Sequence, residues 1–362
     1  MDFISHFSKV TDPRVEGRTK HLLIDIIGIA ILAVIAECDE WEDIADWARS
    51  KEEDLGKHFV LPNGIPSHDT FERVFSLIEP VEFQSSFISW VKSLFGSENK
   101  FVHIDGKSLK GSKDESQAKK MLHMVGAWAS EQHVLLGQLR TEEKSNEITA
   151  IPELIKMLDL KGSTVTIDAM GCQKEIASDI IKSEGDYVLA VKNNQKSLYE
   201  QIEKAFQHLP MQSVDETTDK DHGRIEVRQC KVITKLDLVE ETRNWSHCQS
   251  IIEVQRTRIE KGITTRQNAY YISSHNDKDA AFMNKVIRSH WSIENELHWT
   301  LDVVFGEDKS RKRKKNEGEN FSFIRRMALN VLKSYHGDKR SIRRRRKMAS
   351  YQFDYLENLL KI

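Results

Sequence analysis

The order of strand-like and helical segments after Lys100 restricts the fold of this chain more than any other feature. Before that residue apolar positions recur with helical spacing, whereas after it short apolar segments with strand-like alternation are separated by helix-type segments. Seven segments are predicted here: strands at 101–105, 121–129 and 133–139, a helix at 150–158, a strand at 164–168, a helix at 173–181 and a strand at 186–192. The order is therefore β-β-β-α-β-α-β.

This order predicts a mixed α/β sheet. Only a short turn separates the second and third strands, as in an antiparallel hairpin, whereas each helix can carry the chain across to a parallel neighbour. Three antiparallel strands followed by two crossovers is the order of the ribonuclease H-like fold. We therefore expect an α/β protein with a ribonuclease H-like core, a mixed five-stranded sheet, built from residues 96–199 and 270–335.

The regions outside this core have other patterns. Residues 1–95 show helical spacing, and a Gly/Pro turn before a predicted helix at Ser67 is typical of helix-turn-helix DNA readers, although ordinary helix packing produces the same pattern. Residues 200–269 contain several strand-like segments and are predicted to be a β-rich insertion, and residues 336–362 form a basic C-terminal segment. We expect the N-terminal helical region to be a DNA-binding domain.

Positive charge is concentrated towards the C-terminal end. The whole chain has a net charge of −2, yet residues 309–347 contain 16 Lys and Arg against 3 acidic residues. The clusters at 311–315 and 343–347 are typical of phosphate contacts, and the alternative is a solvated tail. Nucleic acid is therefore the partner expected from charge alone.

The remaining composition favours a cytoplasmic protein. Four scattered cysteines without a CxxC pair indicate reduced thiols and neither a disulfide framework nor a zinc knuckle. The most apolar run, residues 26–36, is too short to span a bilayer and is predicted to be a buried helix. We expect no membrane association.

Two aspartates close predicted strands in similar contexts. Asp105 ends the strand in HIDG, and Asp168 ends the strand in TIDAMG. Either aspartate alone could simply cap a turn, but in a ribonuclease H-like sheet the first and fourth strands are neighbours. The two carboxylates would then lie within the distance that a shared metal ion bridges.

A third acidic candidate lies on a predicted helix at 283–302. At about 100° per residue, Glu294 shares the face of this helix that carries its apolar residues. Three carboxylates are the oxygen ligands that suit Mg²⁺ or Mn²⁺. His290 and His298 lie four residues on either side and Asp302 lies at the margin, so each could orient Glu294 or simply pack the helix.

Six ordered motifs resemble DDE transposases of bacterial insertion sequences, in the H-repeat-associated group found beside Rhs elements. The resemblance spans about residues 10–335. The motifs are HIDGKSLKGS (103–112), KSNEITAIP (144–152), TIDAMGCQ (166–173), YVLAVKNNQ (187–195), DHGRIEVR (221–228) and HWSIENELHWTLDVVFGED (290–308).

The resemblance implies Asp105, Asp168 and Glu294 as the catalytic, metal-binding triad of a ribonuclease H-like polynucleotidyl transferase. It also implies a place near the active site for Lys192. Together with the basic clusters, it gives these candidate DNA contacts: Lys107, Lys110, Lys192, Arg224, Arg228, Arg311, Arg313, Arg343 and Arg344. In the broader related group a Tyr, an Arg and a Lys accompany the glutamate, but this chain has Ile287, His290 and Leu301 there.

The implied reaction is phosphoryl transfer with two Mg²⁺ (or Mn²⁺) ions, in which the protein cleaves the ends of an insertion sequence and joins them to target DNA. The two ends of the insertion sequence must be held together, so a homodimer on double-stranded DNA is expected. The alternatives are a metal-dependent DNA endonuclease without strand transfer, a non-catalytic DNA-binding relic of a transposase, and a zinc hydrolase that uses His290, Glu294 and His298.

Overall fold

One mixed sheet of nine strands organises the computed structural model, which describes residues 3–96, 100–113, 120–141, 147–221 and 223–361. The strands are β1 Phe101–Leu109, β2 Leu122–Ala129, β3 Val134–Arg140, β4 Thr164–Ile167, β5 Asp186–Val191, β6 Ser213–Asp221, β7 Arg224–Ile233, β8 Ser250–Glu260 and β9 Ile263–Ser273. Their order across the sheet is β3-β2-β1-β4-β5-β9-β8-β7-β6. The β1–β4 and β4–β5 pairs are parallel and all the others are antiparallel.

Helices surround this sheet and dominate both ends of the chain. Those before β4 are α1 Phe3–Phe7, α2 Leu23–Ile35, α3 Trp41–Ser50, α4 Glu52–Leu55, α5 His68–Leu77, α6 Pro80–Phe95 and α7 Glu147–Met157. Those after β4 are α8 Lys174–Lys182, α9 Lys196–His208, α10 Ala280–Ser289, α11 Trp299–Val303, α12 Glu317–Ser334, α13 Ile342–Tyr351 and α14 Phe353–Leu359. A π-helical segment, Ile293–His298, lies between α10 and α11.

The mixed α/β class and the order of the first five strands agree with the sequence-based expectation, but the sheet is larger than the five strands predicted. The β-rich segment does not form a separate unit. Its strand β9 pairs with β5 from Val188 opposite Ser273 to Val191 opposite Tyr270, and β8, β7 and β6 follow outwards. Helix α9 and strand β6 were not predicted. The edge of β5 is thereby covered rather than left open to other chains.

Helix α12 connects the N-terminal helices to the sheet. Most of its residues are buried, and it packs against α2, α5, α6 and β3. Two buried asparagines pair with backbone at both ends of this contact: Asn320 donates to the carbonyls of Phe75 and Ile78, and Asn330 bonds both the N–H and the C=O of Leu135. The N-terminal helices and the sheet therefore share one hydrophobic core.

Helix α2 contains the apolar run at 26–36 and is buried in that core, as its composition predicted. None of the helices in the described ranges is both long enough and apolar enough to cross a bilayer.

The second basic cluster is only partly available to DNA. Arg343 and Arg344 are exposed on α13, whereas Arg345 donates to the carbonyls of Tyr335 and Asp338. Arg346 is fully buried: it donates to the carbonyls of Val34 and Val304. The cluster is therefore divided: Arg343 and Arg344 remain accessible, whereas Arg345 and Arg346 complete the bonding of backbone carbonyls.

We expect Arg346→Met to destabilise the protein far more than Arg343→Met. The Arg346 guanidinium also binds both oxygens of Asp39 at 2.9 Å and lies 4.0 Å from the centre of the Phe305 ring. Removing one partner of such a pair typically costs about 3–5 kcal/mol, whereas exposed substitutions usually change stability by less than about 0.5 kcal/mol. Chemical denaturation of both variants measures this, and equal losses would contradict the structural role.

Candidate active site

The parallel pairing of β1 and β4 brings the two aspartates together. Phe101 lies opposite Thr164 and Ile104 opposite Ile167, so the next step of this register places Asp105 beside Asp168. Both side chains line a cavity of about 700 Å³. The predicted neighbourhood of the first and fourth strands is thus present in the structure.

Close packing around Gly106 explains why a glycine follows Asp105. A Cβ atom at this position would lie 2.1 Å from Oε1 of Glu147 and 2.6 Å from Nε2 of His123. These two groups bond each other at 2.7 Å, and Nδ1 of His123 lies 2.8 Å from the Ser108 hydroxyl. The hydrogen-bonded series Ser108–His123–Glu147 therefore packs directly against the backbone next to the first aspartate.

Glu294 reaches the cavity in a different way from the one predicted. The helix at 283–302 was expected to be uniform and to turn Glu294 towards its apolar side, but Glu294 lies in the π-helical segment and 58% of its side chain is exposed. A π-helical turn closes i→i+5 bonds and so accommodates an extra residue. Ile293 and Leu297 take the inward positions instead, and the Glu294 carboxylate is left at the cavity wall.

Asp105, Glu294 and His298 form a tight group of possible metal ligands. One ligand atom from each lies within 4.8 Å of the others, and Nδ1 of His298 is 3.1 Å from Oε2 of Glu294. The pKa of Asp105 is raised to about 7, first by burial and then by the nearby Glu147, Asp168 and Glu294 carboxylates, against a lowering hydrogen bond from the Gly106 backbone. A divalent cation would relieve this concentration of carboxylates, so these oxygen donors fit a hard metal ion.

Asp168 takes part from the other side of the cavity. Its Oδ1 accepts the backbone N–H groups of Met170 at 2.9 Å and Gly171 at 3.3 Å, which fixes the carboxylate at the end of β4. The loop after β5 supports this turn: Asn194 donates to the Ala169 carbonyl and Gln195 donates to the Cys172 carbonyl. The KNNQ motif thus holds the turn that follows Asp168.

His290 lies behind the carboxylates and does not join the group of three. Its Nδ1 is 2.7 Å from the Thr166 hydroxyl, which is also 2.6 Å from Nδ1 of His103. One hydroxyl hydrogen can serve only one of these rings, so the other ring must donate to the hydroxyl oxygen. Burial lowers the pKa of His290 to about 4 and that of His103 to about 3, and both rings are neutral near pH 7.

His298 is also buried, and its pKa is lowered to about 4, first by burial and then by the charge of Lys107. Lys107 itself pairs with Asp302 at 2.5 Å, with only 10% of its side chain exposed. Asp302, a candidate to support Glu294, is therefore engaged with Lys107. Burial raises the pKa of this aspartate despite the pairing.

The other candidate DNA contacts differ in accessibility. Lys110 pairs with Asp308 at 2.7 Å on the surface, and Arg313 donates to the Gly111 carbonyl. Arg228 is only 4% exposed and donates to Asn284, so it does not lie on the protein surface as a phosphate contact was expected to do. The exposed members of the set are Lys110, Lys192, Arg224, Arg311, Arg343 and Arg344, and of these Lys110 is the one paired with Asp308.

The first basic cluster is also divided between surface and interior. Lys312 is buried, donates to the Asp39 carbonyl and to Glu40, and lies 4.3 Å from the centre of the Phe321 ring. Lys314 pairs with Glu72 at 2.7 Å. The segment 311–315 therefore binds the N-terminal helical region through Lys312 and Lys314, while Arg311 stays exposed.

Sequence reasoning assigned no role to Ser108, His123 or Glu147. Glu147 lies in KSNEITAIP, whose first residues, 144–146, fall outside the described residues. Ser108 lies in HIDGKSLKGS, so the signal was its membership of a quoted motif. Their convergence could not be foreseen because it depends on the packing of α7 against β1 and β2.

Comparison with known proteins gives consistent matches over nearly the whole chain. Residues 89–331 match the family model described as "Transposase DDE domain", and residues 4–91 match the model described as "DDE_Tnp_1-associated". "Putative transposase YncI" of Escherichia coli O157:H7 is 39% identical over 370 residues, which cover 99% of this chain and 94% of that protein. "H repeat-associated putative transposase YhhI" of Escherichia coli strain K12 is 39% identical over 372 residues, covering 99% and 97%.

Among solved structures, a cryo-EM structure of a piggyBac transposase synaptic complex with hairpin DNA aligns with a TM-score of 0.46 and 12% identity. The alignment covers 100% of this chain and 80% of that one.

In EDTA, we expect Asp105→Asn to be more stable than the parent near pH 8. The folded-state pKa of Asp105, about 7, lies above its ordinary value of 3.8. The contribution of this group to stability is therefore fully present below about pH 4 and is lost as pH rises through about 7. The amide variant does not ionise, so its advantage should grow across that window.

Melting temperatures of the two proteins from pH 4 to pH 8 measure the effect, with the exposed Asp354→Asn as a matched control. A constant difference across the range would contradict the environment assigned to Asp105.

Proposed function

This chain belongs to the DDE transposase family, and from that premise we propose that Asp105, Asp168 and Glu294 are its catalytic triad. The observation that carries the proposal is the meeting of all three carboxylates in one cavity, beside the middle of β1 and the carboxyl end of β4. Three separate parts of the chain, 63 and 126 residues apart, supply them. The protein is a DDE-type polynucleotidyl transferase, and this cavity is the place we assign to its reaction.

We assign residues 96–199 and 270–335 to a ribonuclease H-like core. Strands β1 to β5 have the sheet order β3-β2-β1-β4-β5, with the first three antiparallel and the last two reached through α7 and α8. Helix α10 then packs against β4, and the π-helical segment after it, which carries Glu294, packs against β1. Residues 200–269 supply the strands that widen the sheet.

Members of this family use divalent metal ions, and we propose Mg²⁺ or Mn²⁺ held by Asp105, Asp168 and Glu294. Bound there, the ions would activate the attacking oxygen and neutralise charge on the transferring phosphoryl group. Of the chain's own groups, Asp168 is held in place by two backbone N–H groups, whereas Glu294 is open to the cavity. His298 contacts Glu294 and fixes the direction of its carboxylate.

The zinc-hydrolase alternative does not fit this geometry. His290 is bonded to Thr166, and the group of possible ligands contains Asp105 in its place. The nuclease alternative uses the same carboxylates and differs only in lacking the step that joins the cut ends to target DNA. A duplex with pre-cut element ends distinguishes them, because a transposase joins the free 3′ ends to a supercoiled target plasmid, whereas a nuclease only hydrolyses DNA.

We propose that DNA passes over the cavity and also contacts the N-terminal helical domain, residues 1–95. The exposed charges of Lys192, Arg311, Arg343 and Arg344 are available for its phosphates. Joining two ends to one target requires two active sites, so the working assembly is expected to be a homodimer on DNA in the bacterial cytoplasm. The two basic clusters contribute less than their sequence suggested, because Lys312 and Arg346 are buried.

We expect Asp105→Asn, Asp168→Asn and Glu294→Gln each to lower cleavage of duplexes that carry the element's terminal repeats by roughly a thousandfold or more. Each change removes a negative ligand oxygen, and metal-ion catalysis supplies several kcal/mol of transition-state stabilisation. The variants should still bind these duplexes, since the exposed basic side chains are intact. Nicking and gel-shift assays on the same preparations measure both properties.

Glu296→Gln is the matched control for Glu294→Gln. Glu296 lies two residues further on, but it bonds His133 at 2.6 Å and Lys333 at 2.9 Å instead of facing the cavity. Its loss should reduce stability and leave the cleavage rate of folded protein nearly unchanged. Substantial cutting by Glu294→Gln, or an equal loss in both variants, would overturn the assignment of Glu294.

We expect His298→Gln to raise the Mg²⁺ concentration needed for half-maximal cleavage by about 10–100-fold, the usual effect of losing a side chain that orients a metal ligand. His290→Gln is the comparison, because His290 contacts Thr166 rather than Glu294. That variant should melt at a lower temperature with an unchanged Mg²⁺ requirement. A lower melting temperature for His298→Gln without a change in Mg²⁺ dependence would leave His298 a packing role only.

A further inference from the structure

Two arginines face each other directly on the strands that widen the sheet. Arg228 of β7 is the register partner of Arg256 of β8. Like charges in this arrangement destabilise a sheet, and an acidic neighbour normally compensates them. Within the described part of the chain, neither guanidinium forms an ion pair with a carboxylate, although the nearby Lys231 and Arg258 each do.

Among the residues that the structure describes, both arginines also retain buried N–H groups without an acceptor. Arg228 donates from Nε to Asn284 at 2.5 Å, but its Nη2 finds no partner in the described ranges, and neither does Nε of Arg256. Leaving a buried charged donor unsatisfied costs more than an ordinary hydrogen bond contributes. Burial, together with the charge of Arg256, lowers the pKa of Arg228, which reflects the same lack of compensation.

This pair lies at the wall of the catalytic cavity. Arg256 lines the cavity together with Asp105, Asp168 and Glu294, and its guanidinium carbon is 6.0 Å from the centre of the Trp291 ring. Of the described residues that line the cavity, only Lys192 and Arg256 carry a Lys or Arg charge. Among the described lining residues, the helical segment that carries Glu294 contributes one histidine, His290, and one tryptophan, Trp291, but no Lys or Arg.

We propose that Arg256, with Arg228 behind it, binds one phosphodiester group of the DNA strand beside the acidic triad. A phosphate has several acceptor oxygens and a negative charge, so it can accept from the Arg256 guanidinium and offset the repulsion between the two facing charges. Arg228 is the positioning residue, because it is too buried to contact DNA freely. The inference rests on the proposed function and adds a phosphate-binding site on the inserted strands.

The test measures DNA affinity without catalysis. The protein carries Asp105→Asn, the buffer contains EDTA, and binding of a short labelled duplex is followed by fluorescence anisotropy over a range of salt concentrations. Adding Arg256→Gln should weaken binding roughly tenfold at low salt. It should also make the slope of log K against log salt shallower by about 0.9, the value for one phosphate contact.

Arg258→Gln is the matched control. Arg258 lies on the same strand and the same side as Arg256, two residues further on, but it is exposed and paired with Glu260. Relative to the Asp105→Asn protein, Arg258→Gln should change the slope of log K against log salt by clearly less than Arg256→Gln does. An unchanged slope for Arg256→Gln, or an equal change for Arg258→Gln, would overturn the site, because the effect would then be general surface charge.

Two further variants separate phosphate binding from folding. Arg256→Lys keeps the charge and should recover most of the salt slope but not the full affinity. Arg228→Met removes one of the two facing charges, so we expect the DNA-free protein to melt at the same or a higher temperature, while added DNA raises its melting temperature less than that of the parent. A lower melting temperature with an unchanged DNA response would overturn the role of Arg228.

The phosphate site and the proposed reaction can fail independently. If Arg256→Gln leaves DNA affinity and the salt slope unchanged while cleavage still requires the triad, the phosphate site is rejected and the proposed reaction stands. A clear Arg256 effect on DNA binding, with cleavage that does not depend on the triad, would remove the reaction and leave the site.

Discussion

The parallel pairing of β1 with β4 is the contact on which the rest of the active site depends. A register offset of one residue would turn either aspartate to the other face of the sheet, because side chains alternate along a strand. Glu147, in the first turn of α7, packs against Gly106 next to Asp105. The geometry of the proposed catalytic site is thus set by main-chain pairing, and the surrounding side chains pack against the paired strands.

The order of the first five strands and the convergence of Asp105 with Asp168 could be predicted because both depend on local pattern. Each aspartate closes an apolar segment, and the segments occur in an order that few topologies accommodate. Glu294 could be selected as the third carboxylate, but its environment could not. The helical projection assumed a constant 100° per residue, whereas the chain forms a π-helical segment at Ile293–His298, whose turn contains an extra residue.

The fate of the basic residues shows a second limit of sequence reasoning. A run such as RRRRK contains no sign of which guanidinium will find buried carbonyls, because these come from Val34 and Val304, far away in the chain. The same holds for Arg228, which lies in the motif DHGRIEVR yet is buried and donates to Asn284 of α10. Charge density predicts the kind of partner, whereas burial decides which side chains can meet it.

The position of α12 late in the chain has a consequence for biosynthesis. Helices α2, α5 and α6 are synthesised first, but the helix that covers their apolar faces begins only at Glu317. At about 5–20 residues per second, roughly 10–50 s separate the synthesis of α5 from that of α12. During this interval the nascent N-terminal helices have no partner for those faces, so a gene copy truncated before Glu317 yields a product that chaperones and proteases will remove rather than a shortened folded protein.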